Sequence, residues 1–187
     1  MTQSILAGMM IALAAGIYLI VGGPLGAILF SLGLLTILHF QFQLFTGKAG
    51  LLVQNKITPL ELIKIYFGNF IGCGAGSIVL LGSGLSIIEP AAAIIATRVS
   101  NSWFENIFLG IICGILMYIA VESYISAPYM TVMCVSIFIL FGANHCIADI
   151  VYMFLAADTE TFVPMTTAIF YTTLGNVIGA SIIPYSQ

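Results

Sequence analysis

The strongest constraint on this chain is a series of six apolar segments, each near the length that crosses a lipid bilayer as a helix. A transmembrane helix needs about 20 apolar residues. Of the 187 residues, 61% are hydrophobic and 6% are charged, whereas soluble domains average about 25% charged residues. Four Lys and Arg residues in total could not cover the surface of a soluble fold. The composition therefore excludes a soluble protein and indicates an all-α integral membrane protein.

Two of the six predicted spans are interrupted by polar residues. The spans cover approximately 4–21, 25–53, 60–81, 103–121, 129–156 and 165–184. The interruptions at 39–48 and 142–149 predict that helices 2 and 5 are broken at the midplane. A further apolar stretch, 87–96, is too short to cross and is expected to lie at the interface or to re-enter. The whole chain, 1–187, is predicted to be a single transmembrane domain.

The same composition argues against several classes of function. Nucleic-acid binding needs clustered Lys and Arg, and here the basic residues are scattered. The four cysteines lie in apolar segments without a CxxC pair, which favours small buried side chains. No nucleophile–base pair, metal-ligand cluster or phosphate loop is found, so an enzyme, a metal site or a cofactor is not expected. The first segment has no charged residues before it and is interpreted as a retained span.

The few charges predict an orientation in the membrane. Lys56 lies between the second and third spans, with Lys64 just inside the third. The positive-inside rule places that loop in the cytoplasm. Six spans then put both termini in the cytoplasm and the acidic loop between spans five and six outside. Arg98 falls in an outer loop and is a mild exception.

The two halves of the chain carry matching motifs. The string GNxIG occurs at 68–72 and again at 175–179. The interrupted segments also correspond, since 43–48 aligns with 144–149. Two halves of three spans each have opposite orientations in the membrane, which predicts an inverted repeat with a site where the two broken helices meet. The repeats are expected at about 4–84 and 103–185.

A set of short strings distributed along the chain identifies a resemblance. They are LFTG at 44–47, GN at 68–69, GIIC at 110–113, GxxHxxA at 142–148 and GN at 175–176. In this order they resemble the formate/nitrite transporter family. The resemblance implies a homopentamer with one pore per protomer, an aquaporin-like outline and a prokaryotic cytoplasmic membrane. It also implies passage of small monovalent inorganic or carboxylate anions, or their acids, such as formate, nitrite or hydrosulfide.

The resemblance also assigns pore residues. The family's pore histidine, the threonine of its first helix break and the asparagine of its last span match His145, Thr46 and Asn176. Its hydrophobic constrictions would be formed by two pairs of residues. These are Leu34 with Phe45, and Phe30 with Phe138. By base rate, however, these four side chains would be ordinary packing residues.

The chain departs from the family pattern at several of the matched positions. Asn144 and Gln43 stand where glutamate is usual, and Lys48 and Asp149 stand where asparagine is frequent. Ala127 stands where a lysine is expected at the start of span five, which puts the attraction of anions in doubt unless Lys48 supplies the charge.

Some matched residues also have purely structural interpretations. His145 is either a pore residue that exchanges or shares a proton or a core histidine bonded to a backbone carbonyl. His39 is a weaker rival for the pore role. Gln43 and Asn144 either cap unwound backbone or remove carboxylate repulsion for an anion. Asn69 and Asn176 either bond the opposite broken helix or touch substrate.

Lys48 and Asp149 occupy equivalent positions in the two repeats. An unpaired charge at the bilayer centre is costly, so we hypothesise that these two side chains form a buried ion pair. The alternative is that each reaches water or a backbone group separately.

The sequence thus predicts a channel or transporter for a small weak-acid anion, with passage that is either passive or proton-linked through His145. One alternative is a channel for a small neutral or basic solute such as ammonia. Another is a non-conducting membrane subunit. The polar breaks argue against the last alternative, since a scaffold has little reason to carry them.

Overall fold

The computed structural model describes residues 1–185 and is helical throughout its regular elements. The last two residues of the predicted domain, 186 and 187, lie outside the described part. Nine α-helices are present within residues 1–185. They are α1 (Thr2–Val21), α2 (Gly23–His39), α3 (Phe45–Lys48), α4 (Pro59–Gly82), α5 (Ile88–Ser100), α6 (Trp103–Glu122), α7 (Pro128–Leu140), α8 (Cys146–Ala156) and α9 (Phe162–Tyr185). A short 3₁₀ turn, Ala49–Leu51, follows α3.

Four helices are long and apolar enough to cross a membrane, namely α1, α4, α6 and α9. These helices also expose large apolar side chains on their outer faces, such as Ile78, Phe108 and Phe170. Both features indicate a membrane protein. In lipid a helix satisfies its own backbone hydrogen bonds, so these outward-facing apolar residues are compatible with bilayer contact. The predicted spans one, three, four and six correspond to these helices within a few residues.

The long helices pack in two close pairs, α1 with α4 and α6 with α9. Glycines make the approach possible. A side-chain carbon added at Gly72 would overlap the backbone carbonyl of Ile5, and one added at Gly179 would overlap the carbonyl of Ile111. These are the last glycines of the two GNxIG strings, which explains why the strings recur: each sits where two helix backbones touch.

Local sequence signals fix where α4 and α6 begin. Thr58 and Glu61 form a capping box before α4, and Ser102 and Glu105 form another before α6. In each box the hydroxyl accepts the backbone N–H of the glutamate, and the carboxylate accepts the backbone N–H of the cap residue. These bonds satisfy helix donors that would otherwise lack partners. Between α8 and α9, the Asp158 carboxylate accepts bonds from Thr161 and the Glu160 N–H, which holds its pKa below the usual range.

The two predicted interruptions are real but shorter than predicted. Helix is lost between His39 and Phe45 and between Leu140 and Cys146, so the residues at 45–48 and 146–149 are helical. The predicted continuation of span two at 49–53 is a 3₁₀ turn, Ala49–Leu51, followed by turn residues rather than an α-helix. Polarity marked each break, but it could not separate the unwound residues from the first turn of the helix that follows.

The stretch 87–96 belongs to a helix of 13 residues, α5, that extends to Ser100. It packs against α8, with Ala91 and Ile95 buried. Arg98 therefore lies in the last turn of a helix that contacts the second break, and not in a solvent-exposed loop.

Candidate functional site

The first helix break is held by the side chain of Asn69 on α4. Its Oδ1 accepts the backbone N–H of Phe45 at 2.8 Å. Its Nδ2 donates to the carbonyls of Ser4 at 2.7 Å and Gln43 at 2.8 Å. Unwound backbone in a membrane needs partners within the protein, and this amide supplies two of them and also ties the break to α1.

The second break is held in the same way by Asn176 on α9. Its Oδ1 accepts the backbone N–H of Cys146 at 3.0 Å. Its Nδ2 donates to the carbonyls of Gly110 at 2.9 Å and Asn144 at 2.8 Å. Both Asn69 and Asn176 are fully buried.

These bonds favour the structural interpretation of the two asparagines and correct one detail of it. Each was expected to bond the opposite broken helix, whereas Asn69 holds α3 and Asn176 holds α8, the break in its own half. Helix α4 packs against α8 as well as α3, but the Asn69 side chain bonds Phe45 of α3 and Gln43 before it. A direct contact of Asn176 with substrate stays a prediction, and its amide is already engaged by three backbone groups.

His145 ends the second break as the residue preceding α8. Leu44 holds the matching position before α3, and both backbones are extended, with φ/ψ of −111°/108° and −100°/129°. In the second half the capping position thus carries an imidazole, whose Nδ1 accepts the backbone N–H of Ala148 at 3.1 Å. An accepting Nδ1 places the proton of the neutral ring on Nε2.

The Nε2 atom of His145 joins the two breaks. It lies 2.9 Å from Oγ1 of Thr46, the second residue of α3. Because Nε2 carries the proton, it donates to the threonine oxygen, and the Thr46 hydroxyl hydrogen remains free to donate elsewhere. The exposed fractions of His145 and Thr46 are 2% and 1%. Two residues predicted from separate halves of the chain thus meet in a buried hydrogen bond.

Two phenylalanines flank the histidine on one side. The ring of Phe138 stacks on His145 with centroids 5.7 Å apart. Phe30 meets Phe138 edge to face at 6.2 Å. This is the pair predicted to form a constriction, and the structure brings the two rings together.

A cavity of ≈ 150 Å³, here called the His145 cavity, lies beside these rings. Its polar lining comes from a few side chains on α1, α5 and α8. The lining includes Tyr18, Thr97, Arg98, Asp149 and Tyr152, together with His145, Phe30 and Phe138.

A second cavity of ≈ 540 Å³, here called the Lys48 cavity, lies beside the first break. It is lined by Leu34, His39, Gln43 and Lys48, among others. Leu34 follows Phe30 by one turn of α2, so a single helix contributes to both cavities. The pairing of Leu34 with Phe45 stays a prediction, and the Phe45 ring packs edge to face on Tyr66 at 5.0 Å.

The hypothesis of a Lys48–Asp149 ion pair is wrong. The partner of Asp149 is Arg98, whose Nε lies 3.2 Å from Oδ1 of Asp149. Equivalent positions in a repeat share a place along the helix, but that does not bring their side chains into contact. Lys48 lines the cavity beside the first break, whereas Asp149 lines the cavity beside the second.

The remaining predicted polar residues differ in their surroundings. The Asn144 side chain donates to Oδ1 of Asn106 at 2.8 Å, while its own Oδ1 has no hydrogen-bond partner among the described residues. The Gln43 side chain donates to the carbonyl of Gln41 at 3.3 Å. The Gln43 side chain thus bonds unwound backbone of its break, as one interpretation predicted, whereas the Asn144 side chain bonds other side chains. His39 is exposed at the end of α2, beside Phe40.

Arg98 is the residue that sequence reasoning missed. A usable signal existed: a buried carboxylate such as Asp149 needs a cation, and the chain has only four basic residues. The hydropathy pattern places Arg98 in an outer loop, whereas the structure has it in a short helix that packs against α8.

These features define a class of protein, the helical membrane proteins in which two interrupted helices meet beside buried cavities. Comparison with known proteins is more specific. The Formate/nitrite transporter family model matches residues 1–185, and the chain belongs to that family.

Relatives agree with this assignment. The formate channel FocA of Haemophilus influenzae is 27% identical over 156 residues, which is 73% of this chain and 55% of that protein. The chain thus spans about half the length of this curated relative. A solved pentameric formate channel with formate bound has a TM-score of 0.83 and 25% identity, covering 97% of this chain and 92% of that one. An FNT family ion channel has a TM-score of 0.84 at 18% identity, covering 97% and 85%.

Proposed function

We propose that this chain is a channel for small monovalent weak-acid anions of the formate, nitrite or hydrosulfide class. The observation that carries the proposal is the 2.9 Å contact between His145 Nε2 and Thr46 Oγ1, which joins the two breaks between two cavities. Family membership and the formate channels among its relatives support the same class of substrate.

The breaks supply hydrogen-bond donors where an anion would pass. The free Thr46 hydroxyl donates to the anion, and His145 Nε2–H turns from Thr46 to the anion when the anion arrives. The start of α8 adds the favourable field of a helix N-terminus. Polar groups that bind an ion must hold it weakly enough to release it, and two neutral donors meet that requirement.

Proton linkage through His145 has a specific structural requirement. A proton donated to the anion must come from Nε2 of a doubly protonated ring, and that ring carries a hydrogen on Nδ1 as well. The hydrogen bond from Ala148 N–H to Nδ1 must then break. We propose that His145 acts first as a hydrogen-bond donor and that proton transfer accompanies a turn of the ring.

The aromatic pair of Phe30 and Phe138 forms the apolar barrier in this proposal. An apolar constriction disfavours a hydrated anion and favours its neutral acid. The edge-to-face contact at 6.2 Å and the burial of both rings support that role.

The proposed membrane architecture has six spans in two inverted repeats. In it α2 with α3, and α7 with α8, each make one broken span, and the four long helices make the others. Asn69 and Asn176 make equivalent hydrogen bonds in the two halves of the chain, which supports the repeat. The assembly is proposed to be a homopentamer in a prokaryotic cytoplasmic membrane, with both termini in the cytoplasm.

The proposal is tested by flux into proteoliposomes. Formate, nitrite and hydrosulfide are supplied separately to vesicles containing the purified protein, and uptake is compared with that of protein-free vesicles. Uptake of at least one anion, lost in His145→Leu, supports the proposal. A folded wild-type oligomer that moves none of the three overturns it, and selective uptake of ammonia would favour the alternative substrate class.

A further inference from the structure

Arg98 reaches the second helix break from outside the two broken helices. It lies in the last turn of α5, and its Nε donates to Oδ1 of Asp149 at 3.2 Å. Its Nη1 donates to the carbonyl of Gly142 at 3.4 Å. The guanidinium therefore bridges the two ends of the break, with Gly142 before His145 and Asp149 after it.

The backbone of Arg98 is also fixed. Its carbonyl accepts the side-chain N–H of Asn106 at 3.2 Å, and Oδ1 of the same Asn106 accepts from Asn144 at 2.8 Å. Asn144 is the residue directly before His145. The end of α5 and the break are thus held together through one buried amide, so the guanidinium has a defined place beside the cavity.

Both side chains of the ion pair line the His145 cavity, and they differ in exposure. The side chain of Arg98 is 12% exposed, whereas that of Asp149 is 2% exposed. Arg98 is the one cation among the residues that line this cavity, and Asp149 is the one acidic residue. The guanidinium is thus the more accessible of the two charges, and it is the one that can attract an anion in the cavity.

The guanidinium has donors to spare. Arginine carries five N–H groups in a planar fork, and two of them serve Asp149 and Gly142 within the described structure. The others suit a two-oxygen anion, because carboxylate and guanidinium match in a bidentate pair. The neutral donor His145 lines the same cavity, and Thr46 is in contact with it.

We propose that Arg98 is an anion-selecting subsite at the mouth of the His145 cavity, with Asp149 as the buried anchor that holds its guanidinium in place. The inference rests on the proposed function and extends it. The subsite takes small monovalent oxyanions, concentrates them beside His145 and discriminates against cations.

The test measures formate uptake into proteoliposomes as a function of concentration for four variants. Arg98→Gln removes the positive charge and is expected to raise the half-saturating concentration roughly ten-fold, as for loss of one charge-assisted hydrogen bond. Arg98→Lys keeps the charge and should stay closer to wild type. Asp149→Asn keeps an oxygen that accepts from Arg98 but removes the negative charge, so its half-saturating concentration should fall. Lys56→Gln removes an exposed charge outside the cavity and serves as the control for net charge.

The half-saturating concentration should rise in Arg98→Gln and fall in Asp149→Asn, and these opposite changes distinguish a subsite from a structural ion pair. If the pair only holds the fold, Arg98→Gln and Asp149→Asn impair uptake in the same direction, and that result overturns the inference. Should Arg98→Gln not assemble, the double variant Arg98→Gln/Asp149→Asn leaves no unpaired buried charge, and its half-saturating concentration should lie well above that of Asp149→Asn alone. A folded double variant with the same half-saturation as Asp149→Asn also overturns the inference.

The inference and the proposed function fail in different ways. Wild-type protein that conducts formate, with half-saturation unchanged in Arg98→Gln, refutes the subsite alone. Folded wild-type protein that conducts none of the three anions refutes the proposed function, and the subsite with it.

Discussion

Replacing Thr46 by valine tests the contact between the two helix breaks with little change in side-chain shape. The substitution removes the hydroxyl that lies 2.9 Å from Nε2 of His145. His145 is 2% exposed, so water cannot readily replace the lost partner. An unsatisfied buried donor costs about 1–3 kcal/mol, and the variant should unfold at a lower temperature than wild type.

The same substitution should affect permeation more strongly than stability. A hydrogen bond to a charged group contributes about 1.5–3 kcal/mol, and each 1.4 kcal/mol is about ten-fold in an equilibrium constant. Loss of the Thr46 donor should therefore lower formate uptake roughly 10- to 100-fold at concentrations below saturation. Uptake of radiolabelled formate into proteoliposomes gives the rate whether or not a proton accompanies the anion.

Two further variants make the result interpretable. Thr46→Ser keeps the hydroxyl and should retain most of the flux. Thr131→Val removes another buried threonine hydroxyl, which donates to the carbonyl of Ala120 at 2.7 Å on α6, and should lower stability without a comparable loss of flux. Formate uptake by folded Thr46→Val within about two-fold of wild type would refute the assigned role of Thr46.

Three other substitutions probe the rest of the account. Gly179→Ala places a carbon against the Ile111 carbonyl and should destabilise the protein by about 1–3 kcal/mol in thermal unfolding, whereas Gly82→Ala, with open space around it, should not. Asn176→Leu strips three backbone groups of their partner and should prevent assembly of a stable oligomer, as judged by size-exclusion chromatography; a normal elution profile would contradict this. Phe138→Ala removes one ring of the constriction and should admit larger carboxylates such as acetate, so unchanged selectivity in a flux assay would argue against a barrier at that point.

Much of the fold was predictable because lipid imposes simple rules on the sequence. Hydropathy located α1, α4, α6 and α9 within a few residues, since a span must be long and apolar. Recurrence of GNxIG identified two equivalent asparagines, and the structure gives Asn69 and Asn176 the same three hydrogen bonds each. The limits of the breaks were less predictable. A polar residue such as Asp149 shows that a break is near, but it can lie in the helix that follows the break as well as in the unwound segment.

The site was predicted in part. His145 and Thr46 were identified by family resemblance, and their contact needs the two breaks to meet, which the internal repeat indicated. Lys48 and Asp149 occupy matching positions in the two sequence halves. Matching positions do not determine how far apart two side chains lie in the fold. The partner of Asp149 is instead Arg98 on α5. The two residues are 51 positions apart in the chain, and no periodicity in the sequence encodes their contact.

The most direct test of the account is a comparison of formate uptake by proteoliposomes containing wild-type protein and by those containing Thr46→Val, with oligomer size and thermal stability measured on the same preparations. The account predicts uptake by wild type far above that of protein-free vesicles and a loss of at least ten-fold in a variant that remains assembled. Equal uptake by both folded proteins would contradict the claim that the anion passes between the two helix breaks at His145 and Thr46.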